Sequence, residues 1–446
     1  MKSRNKLYET VLKTIFLHQL ICDGERILVA LSGGADSVFL LHILMKAGIQ
    51  CDAVHCNFHL RGEESNRDEQ FVIGLCKNWK VKLHRTDFKT TDYAQKHGIS
   101  IEMAARELRY EYFEQLRTEW RYDKIAVAHH RNDNVETLLL NLIRGTGLKG
   151  LTGMQYRNGH IIRPLLDISR EEIEEYAAKN ELEYVTDSTN LEADVTRNKI
   201  RLEIIPLLKE INPSVMDTIH DTIDRMKECY EVYSVAINSL KERVRNGRNI
   251  CIEELMGTPS PRTVLYEILS EYGFNNAQTS DIFDHLDGEP GKLYESNEWR
   301  LLRDREALML RRKDETPVCL CHILPLEGYV QVTDSQALII ERRSATDGFT
   351  IPHSKDTVCM DLDRMEYPIS IRFYKEGDKF IPFGMNHEKL VSDYMTDKKK
   401  TVYDKENQLV VCSGEKIAWL VNERPDNRFR ITENTKRMLS IKVINI

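Results

Sequence analysis

Over the first 160 residues, short apolar runs alternate with amphipathic stretches. Residues 26–32 (RILVALS) have the continuous apolar character of a strand covered on both faces, and residues 37–46 have helical spacing. The alternation continues with strands at 49–57, 81–87 and 124–129 and helices at 66–77, 103–119 and 133–144. Such alternation predicts right-handed crossovers and an α/β fold with a doubly wound, mostly parallel sheet. Ligands of these sheets sit at the carboxyl ends of the strands. Leu7, Val11 and Ile15, four apart, predict a short amphipathic helix before the first strand.

From Val215 the period changes. Ile219, Ile223, Met226, Tyr230, Tyr233, Ile237, Leu240 and Val244 recur alternately four and three apart, which predicts one long helix with a narrow seam. The seam is expected to dock on its own domain, with pairing to a second copy, a homodimer, as the alternative. Helical patterns run to about Glu289, and residues 311–317 read as a charged linker. Beyond them, β-branched alternation punctuated by Gly and Pro predicts a small strand-rich C-terminal domain. The expected division is therefore 1–210, a helical middle domain at 211–315, and 316–446.

Composition narrows the class. With 41% hydrophobic and 30% charged residues, the 446-residue chain is neither collagen-like nor wholly disordered. No run approaches the roughly 18 apolar residues of a membrane span. Lys2, Arg4, Lys6, Glu9 and Lys13 interrupt any secretory signal, and the ten cysteines include no Cys-x-x-Cys pair. Reduced thiols in a cytoplasmic protein, with no membrane partner, are the expectation. The net charge of −7 argues against a nucleic-acid-coating protein but leaves room for a local basic face. Residues 372–446 supply one, with 15 Lys and Arg against 11 Asp and Glu.

The strongest local signal is the turn Ser32-Gly33-Gly34-Ala35-Asp36-Ser37 between a strand and a helix. Glycines let successive N–H groups converge on an anion, and the following helix adds its positive end. Ser32 and Ser37 add hydroxyl donors. A bare phosphate would repel Asp36, so this carboxylate is expected to face a divalent cation carried by a nucleotide. The Gly-Lys-Ser/Thr ending of nucleotide triphosphatases and the G-x-G-x-x-G spacing are both absent.

This segment resembles the pyrophosphatase-loop family of ATP-dependent adenylating enzymes. Four further stretches are similar to one branch, the tRNA(Ile)-lysidine synthases. They are residues 55–61 (HCNFHLR), 102–110 (EMAARELRY), 128–151 with its HHRNDNVET start, and Arg163-Pro164-Leu165-Leu166 followed by 187–190 and 197–201. A second block, 373–422, resembles that family's C-terminal tRNA-binding domain, most specifically at 377–384 (GDKFIPFG). The resemblance implies that ATP adenylates the wobble cytidine of tRNA(Ile) with a CAU anticodon. The side-chain amine of free L-lysine then displaces AMP.

The resemblance also implies roles. Ser32, Gly33, Gly34, Ala35, Asp36 and Ser37 bind ATP, and Asp36 and Asp133 hold Mg²⁺. His55 and Asn57 border the nucleotide. Asp133, Glu136, His129, Arg106 and Arg144 join Asp36 in catalysis. Helix capping by Asp133 and surface salt bridging by the arginines are the plainer readings. The family commonly has His-His-x-Asp-Asp, whereas here Asn132 stands at the first acid, which predicts either weaker metal binding or an acid that is dispensable. Arg61, Arg197, Arg201, Lys379, Lys398, Lys399 and Lys400 are expected to contact tRNA. Asp187, Asn190 and Asn198 complete a polar island around Arg197 and Arg201. Tyr394 and Tyr403, near the lysines, are expected to stack on RNA. The rivals are a pyrophosphatase-loop tRNA-cytidine thiolase, against which the missing Cys-x-x-Cys speaks, and a non-catalytic tRNA-binding relative.

Overall fold

The computed structural model describes residues 2–60, 62–186, 195–315, 318–344 and 354–446. The chain divides into two compact units, Met1–Ser234 and Val235–Ile446.

The first unit opens with helix α1 (Lys2–Leu17) and then alternates. Its elements are β1 (Arg26–Ala30), α2 (Ala35–Lys46), β2 (Gln50–Asn57), α3 (Glu63–Trp79), β3 (Leu83–Asp87), α4 (Thr90–His97), α5 (Ile101–Trp120), β4 (Lys124–Ala126), α6 (Arg131–Arg144), α7 (Leu148–Leu151), β5 (Arg157–Asn158) and β6 (Ile161–Ile162). The sheet order is β3-β2-β1-β4-β6-β5, parallel except for the edge strand β5. Side chains alternate across it. Ile27, Val29 and Ala53 pack into the layer holding α2, while Leu28, Val54 and Ile125 pack with Phe113 and Leu116 of α5. Both faces are covered, which is why β1 reads as a continuous apolar run. The strand order reverses between β1 and β4, opening the crevice where ligands of such sheets bind. The two-residue strands β5 and β6 are too short to show a period, and α4 is too polar.

Helix α8 (Arg170–Lys179) packs on α2. The short α9 (Val195–Lys199) runs through a π-helical turn, Ile200–Ile204, into α10 (Ile205–Ile211), and α11 (Val215–Val244) is the expected long helix. Its seam is buried at Ile223, Ile237 and Val244 and half-buried between them. On the other side Val232 and Val235 are 74% and 73% exposed. A polar hub holds its first turns. Asp167 accepts hydrogen bonds from Thr14 and Tyr156, both at 2.5 Å, and lies 3.6 Å from His220 of α11. Arg131 pairs with Asp217 at 2.7 Å. Burial pushes the Asp167 carboxyl upward, but its hydrogen bonds from His220, Thr14 and Tyr156 outweigh this and hold it well below the usual range.

The second unit opens on the expected helical middle region, which also holds more strand than its spacing predicted. Around α12 (Ile252–Met256), α13 (Pro261–Leu269) and α14 (Asn276–Asp284), five short strands form an antiparallel sheet. They are β7 (Arg245–Asn246), β8 (Asn249–Cys251), β9 (Leu293–Glu295), β10 (Trp299–Arg303) and β11 (Ala307–Arg312), in the order β7-β8-β11-β10-β9. The expected linker at 311–317 is likewise shorter. Arg311 and Arg312 end β11, opposite Arg300 and Trp299, and their charge hid the strand alternation.

The strand-rich end is as expected. Strands β12 (Gly328–Thr333), β13 (Gln336–Ser344) and β14 (Thr357–Asp361) form a sheet with the last strand, and β15 (Ile369–Phe373) begins another. Strands β16 (Lys379–Phe380) and β17 (Lys389–Leu390), helices α15 (Val391–Asp397) and α16 (Val402–Glu406), β18 (Leu409–Ser413), β19 (Lys416–Leu420) and β20 (Arg437–Asn445) follow. In the order β12-β13-β20-β14, the last strand lies inside its sheet.

Candidate functional site

The turn after β1 is held by Ser37. The backbone N–H groups of Ser32 and Gly33 both donate to its Oγ at 3.2 Å, and that hydroxyl donates to the Gly34 carbonyl at 3.0 Å. Gly33 needs its lack of a side chain twice over. Its φ is +96°, and a Cβ would meet Val185 Cγ2 at 3.0 Å and Val72 Cγ2 at 3.1 Å. Ala35 opens α2, so the turn runs directly into a helix N-terminus.

Asp36 leans toward the start of α6. Its Oδ2 lies 3.7 Å from His130 Nε2, which is 3.5 Å from Asp133 Oδ2. Asp36 Oδ1 is buried without a hydrogen-bond partner. The two carboxyls titrate in opposite directions. Burial raises Asp36, and neighbouring Asp133 adds to that against His130. Burial also works to raise Asp133, yet His130, His129, the His130 backbone N–H and Arg197 together hold it below the usual value. Part of the plainer reading of Asp133 holds as well, since its Oδ2 accepts from the His130 backbone N–H at 3.0 Å and caps α6.

Glu136, one turn further, is 1% exposed and tied up at both oxygens. Arg201 donates to Oε1 at 2.7 Å and Oε2 at 3.0 Å, and Arg197 lies 3.1 Å from Oε2. The structure therefore places Arg197 and Arg201 in this carboxylate cluster, with Arg201 3.8 Å from Asp133. They stand as part of the polar island expected around them, beside the cleft. Arg61, Asp187 and Asn190 lie outside the described residues.

A cavity of about 240 Å³ opens between the glycine turn and α5. Its walls include Ser32, Asp36, Ser37, Val54, Cys56, Phe58, Arg109, Tyr110 and His129. His129 Nδ1 accepts from Arg163 Nε at 3.2 Å, and burial pushes the imidazole below its ordinary pKa. The ring is thus neutral with Nε2 as its donor. Arg106 is exposed, 5.0 Å from the Tyr110 ring, and Arg109 stands 5.1 Å from Phe58.

Three expectations change here. Strand alternation sends Val54, Cys56 and Phe58 to the cavity, so His55 and Asn57 face the other way. His55 bonds the Leu31 carbonyl at 2.8 Å, and Asn57 donates to Asn66 and Glu69 of α3. Arg144 ends α6, about 16 Å along the axis from Asp133, and is exposed there. Asn132 does not face Asp36. Its Oδ1 accepts from the Arg170 N–H at 3.1 Å, capping α8, and its amide reaches Glu171. An aspartate there would meet Glu171 as a like charge, so the missing acid subtracts nothing from the Asp36–Asp133 pair. His130, standing between those two carboxylates, is the residue that sequence reasoning passed over in favour of His129.

In the second unit, Lys379 and Lys398 are exposed, the latter 5.9 Å from the Tyr394 ring. The Lys399 carbonyl accepts from Arg305 at 2.9 Å, and Lys400 pairs with Glu423 at 2.8 Å. Tyr394 and Tyr403 are 6% and 7% exposed, core residues with no face left for stacking.

Among the described residues, no cluster of three or more metal-binding side chains occurs. The fit to a hard cation rests on two carboxylates and one orphaned oxygen, a set that suits Mg²⁺ when substrate phosphates and water complete the shell.

Residues 5–208 match the PP-loop domain family, and residues 244–313 match the TilS substrate binding domain. The chain is 49% identical to the tRNA(Ile)-lysidine synthase of Bacteroides thetaiotaomicron, over 98% of this chain and 100% of that protein. The enzyme of the same name from Parabacteroides distasonis is 44% identical over 98% and 100%. That from Clostridium acetobutylicum is 31% identical over 97% and 98%. With its glycine turn, its Asp36–His130–Asp133 contact and this full-length similarity, the chain belongs to the tRNA(Ile)-lysidine synthase family.

Proposed function

We propose that this chain joins free L-lysine to the wobble cytidine of tRNA(Ile) bearing a CAU anticodon, with cleavage of ATP to AMP and pyrophosphate. The observation that carries the reading is the meeting of the glycine turn with Asp36 and Asp133 at the carboxyl ends of β1 and β4. In the first step the cytidine ring oxygen attacks the α-phosphorus and pyrophosphate leaves. In the second, the lysine amine attacks the activated ring carbon and AMP leaves.

Asp36 and Asp133 are the residues that would hold Mg²⁺. Bound there, the ion neutralises phosphate charge and polarises the reacting phosphoryl group. The N-terminus of α2, with the Ser32 and Ser37 hydroxyls beside it, receives the triphosphate tail. His129, neutral with its Nε2 as donor, offers a hydrogen bond to oxygen without competing as a base. The arriving lysine ammonium has an ordinary pKa near 10.4, so an anionic cleft must both bind it and accept its proton. Asp133, kept ionised, attracts the ammonium electrostatically. Glu136 positions Arg197 and Arg201 and is not free to take a proton.

We retain the division at 1–210, 211–315 and 316–446 as the functional one, with the later parts gripping tRNA. All ten cysteines are free, which suits a reducing cytoplasm. A sulfur-transfer reading has little to stand on. Cys56 is the thiol lining the cavity, and burial pushes it up to about 12, far from a reactive thiolate.

The test incubates the protein with unmodified CAU-anticodon tRNA(Ile), ATP, Mg²⁺ and labelled lysine. Label retained on tRNA only when ATP is present is the expected result. Transfer from a sulfur donor, or tRNA binding without incorporation, would overturn it.

A further inference from the structure

The segment 377–384 is the most specific part of the C-terminal block, yet apart from Lys379 the reading above assigns none of its residues. It holds Phe383, which is 51% exposed. Its backbone is not loose. Ile381 N–H donates to Asp426 at 2.7 Å, Phe383 N–H to the Pro425 carbonyl at 3.0 Å, and Gly384 N–H to Asn427 Oδ1 at 3.2 Å. Asn427 Nδ2 returns a bond to the Met385 carbonyl at 3.0 Å. Asp426 is wholly buried and bonded by Arg428, so the clamp is itself anchored. A rigid loop thus holds a large apolar ring out toward water.

The ring stands at a cavity of about 270 Å³ floored by Trp419 and Phe429, which are 1% and 3% exposed, with Pro425 beside them. The volume lies just below the range of sites for drug-sized molecules, room for a single planar ring system. Lys355 and Arg430 stand exposed at its edge, and no ion pair joins either to a described residue. Glu423 also lines it, but its charge is met by Lys400 at 2.8 Å. Asp356, next to the rim, is turned onto the hydroxyls of Ser354 and Thr357. An apolar slot with one presented aromatic face and two uncommitted cations is complementary to a base with its phosphate.

We propose that this cavity of the second unit takes one unpaired nucleotide of an RNA, its base stacked on Phe383 and its phosphate met by Lys355 and Arg430. The site rests on the reading of the chain as a tRNA enzyme and adds where a single-stranded element is gripped. The single-stranded 3′ end and a looped-out base share this chemistry, and the test separates them.

Full-length protein is titrated with unmodified tRNA(Ile) carrying or lacking its unpaired 3′ nucleotides, across a salt series. Phe383→Ala should weaken binding of intact tRNA roughly tenfold, while Phe383→Tyr restores it, since stacking needs the ring face. Lys355→Gln with Arg430→Gln should lower the salt slope by about 2, one for each phosphate-facing cation. If the 3′ end is the occupant, truncating it weakens the wild type and leaves Phe383→Ala unmoved. If truncation affects both proteins equally, the occupant is a looped-out base. Wild-type affinity in Phe383→Ala, with an unchanged salt slope in the double variant, would overturn the site. Lysine incorporation by the wild type, run alongside, keeps that failure distinct from failure of the enzymatic reading.

Discussion

The carboxylate cleft of the first unit and the lysine run of the second are both dense in charge, and the fold handles them oppositely. In the cleft, every charged group has a neighbour that shifts or fixes it. Asp36 is raised by burial, Asp133 is held low, and Glu136 is closed off by two arginines. In the run at 398–400, Lys398 is exposed, Lys399 contributes its carbonyl, and Lys400 answers one buried carboxylate. Groups pushed apart in pKa within one crevice mark chemistry, whereas adjacent lysines in sequence need not share one surface task. Position within the fold, more than residue type, separates a reactive charge from a structural one.

The largest effect should come from the cleft. Asp36→Asn and Asp133→Asn are each expected to lower lysine incorporation by about a thousandfold, the scale of losing one preorganised charge at a reacting phosphoryl group. Binding of tRNA should stay within about twofold, because neither residue lies in the second unit. Incorporation within about tenfold of wild type would put the metal and substrate roles elsewhere. Asn132→Asp offers a control on the same helix. It should leave incorporation unraised, since Asn132 caps α8 and faces Glu171.

Glu136→Gln comes next and probes stability. Removing the charge leaves Arg197 and Arg201 facing a neutral amide at a site that is 1% exposed. A loss of about 3 kcal/mol is expected, read as a fall in denaturation midpoint. If instead the fold is unmoved and only incorporation falls, Glu136 acts on substrate directly. Somewhat smaller, at about 2 kcal/mol, is Asp167→Asn, which strips the hub under α11 of its charge. The pH sign follows from the lowered pKa. Asp167 stabilises fully above its unfolded value near 3.9, and the contribution fades as pH falls toward the folded value. The difference between wild type and variant should therefore shrink between pH 5 and pH 3, roughly the window in which the unfolded carboxyl takes up its proton. A difference that stays constant over that window would show that the charge is not what holds the hub.

These contrasts also show what the chain made legible. The parallel sheet could be read because β1 carries an uninterrupted apolar run and strands alternate with helices after it, and the glycine turn because Gly33 answers a backbone requirement that few other residues can meet. The parity of β2 beyond Val54 could not, so His55 and Asn57 were expected at the nucleotide while Cys56 and Phe58 line the cavity. A strand position has two faces, and only the packing of α3 and α5 decides between them. Tyr394 and Tyr403 fail for a related reason. Aromatics beside lysines suggest stacking by composition, but both rings complete a core, and the presented ring, Phe383, sits among neutral residues. The middle sheet was hidden because its strands are short and two of them, β10 and β11, end in arginines. The basic stretch 372–446 is likewise no separate module, because its last strand, β20, lies between β13 and β14.

The smallest effects sharpen the comparison most. Lys398 and Lys400 are two residues apart, alike in charge, and assigned alike by sequence. Lys398→Ala removes an exposed cation with no described ion pair, so stability should change by less than about 0.5 kcal/mol. Its effect should appear in RNA binding, as a two- to threefold loss at low salt and a salt slope lower by about 1. Lys400→Ala leaves the 7% exposed Glu423 side chain without its cation. Because Lys400 is itself one-third exposed, the cost is discounted to about 1 kcal/mol, and the salt slope should stay near wild type. Were both variants to alter the slope equally and leave stability alone, the lysines would form one RNA-facing surface after all, and the contrast between cleft and run would rest on the aromatics alone.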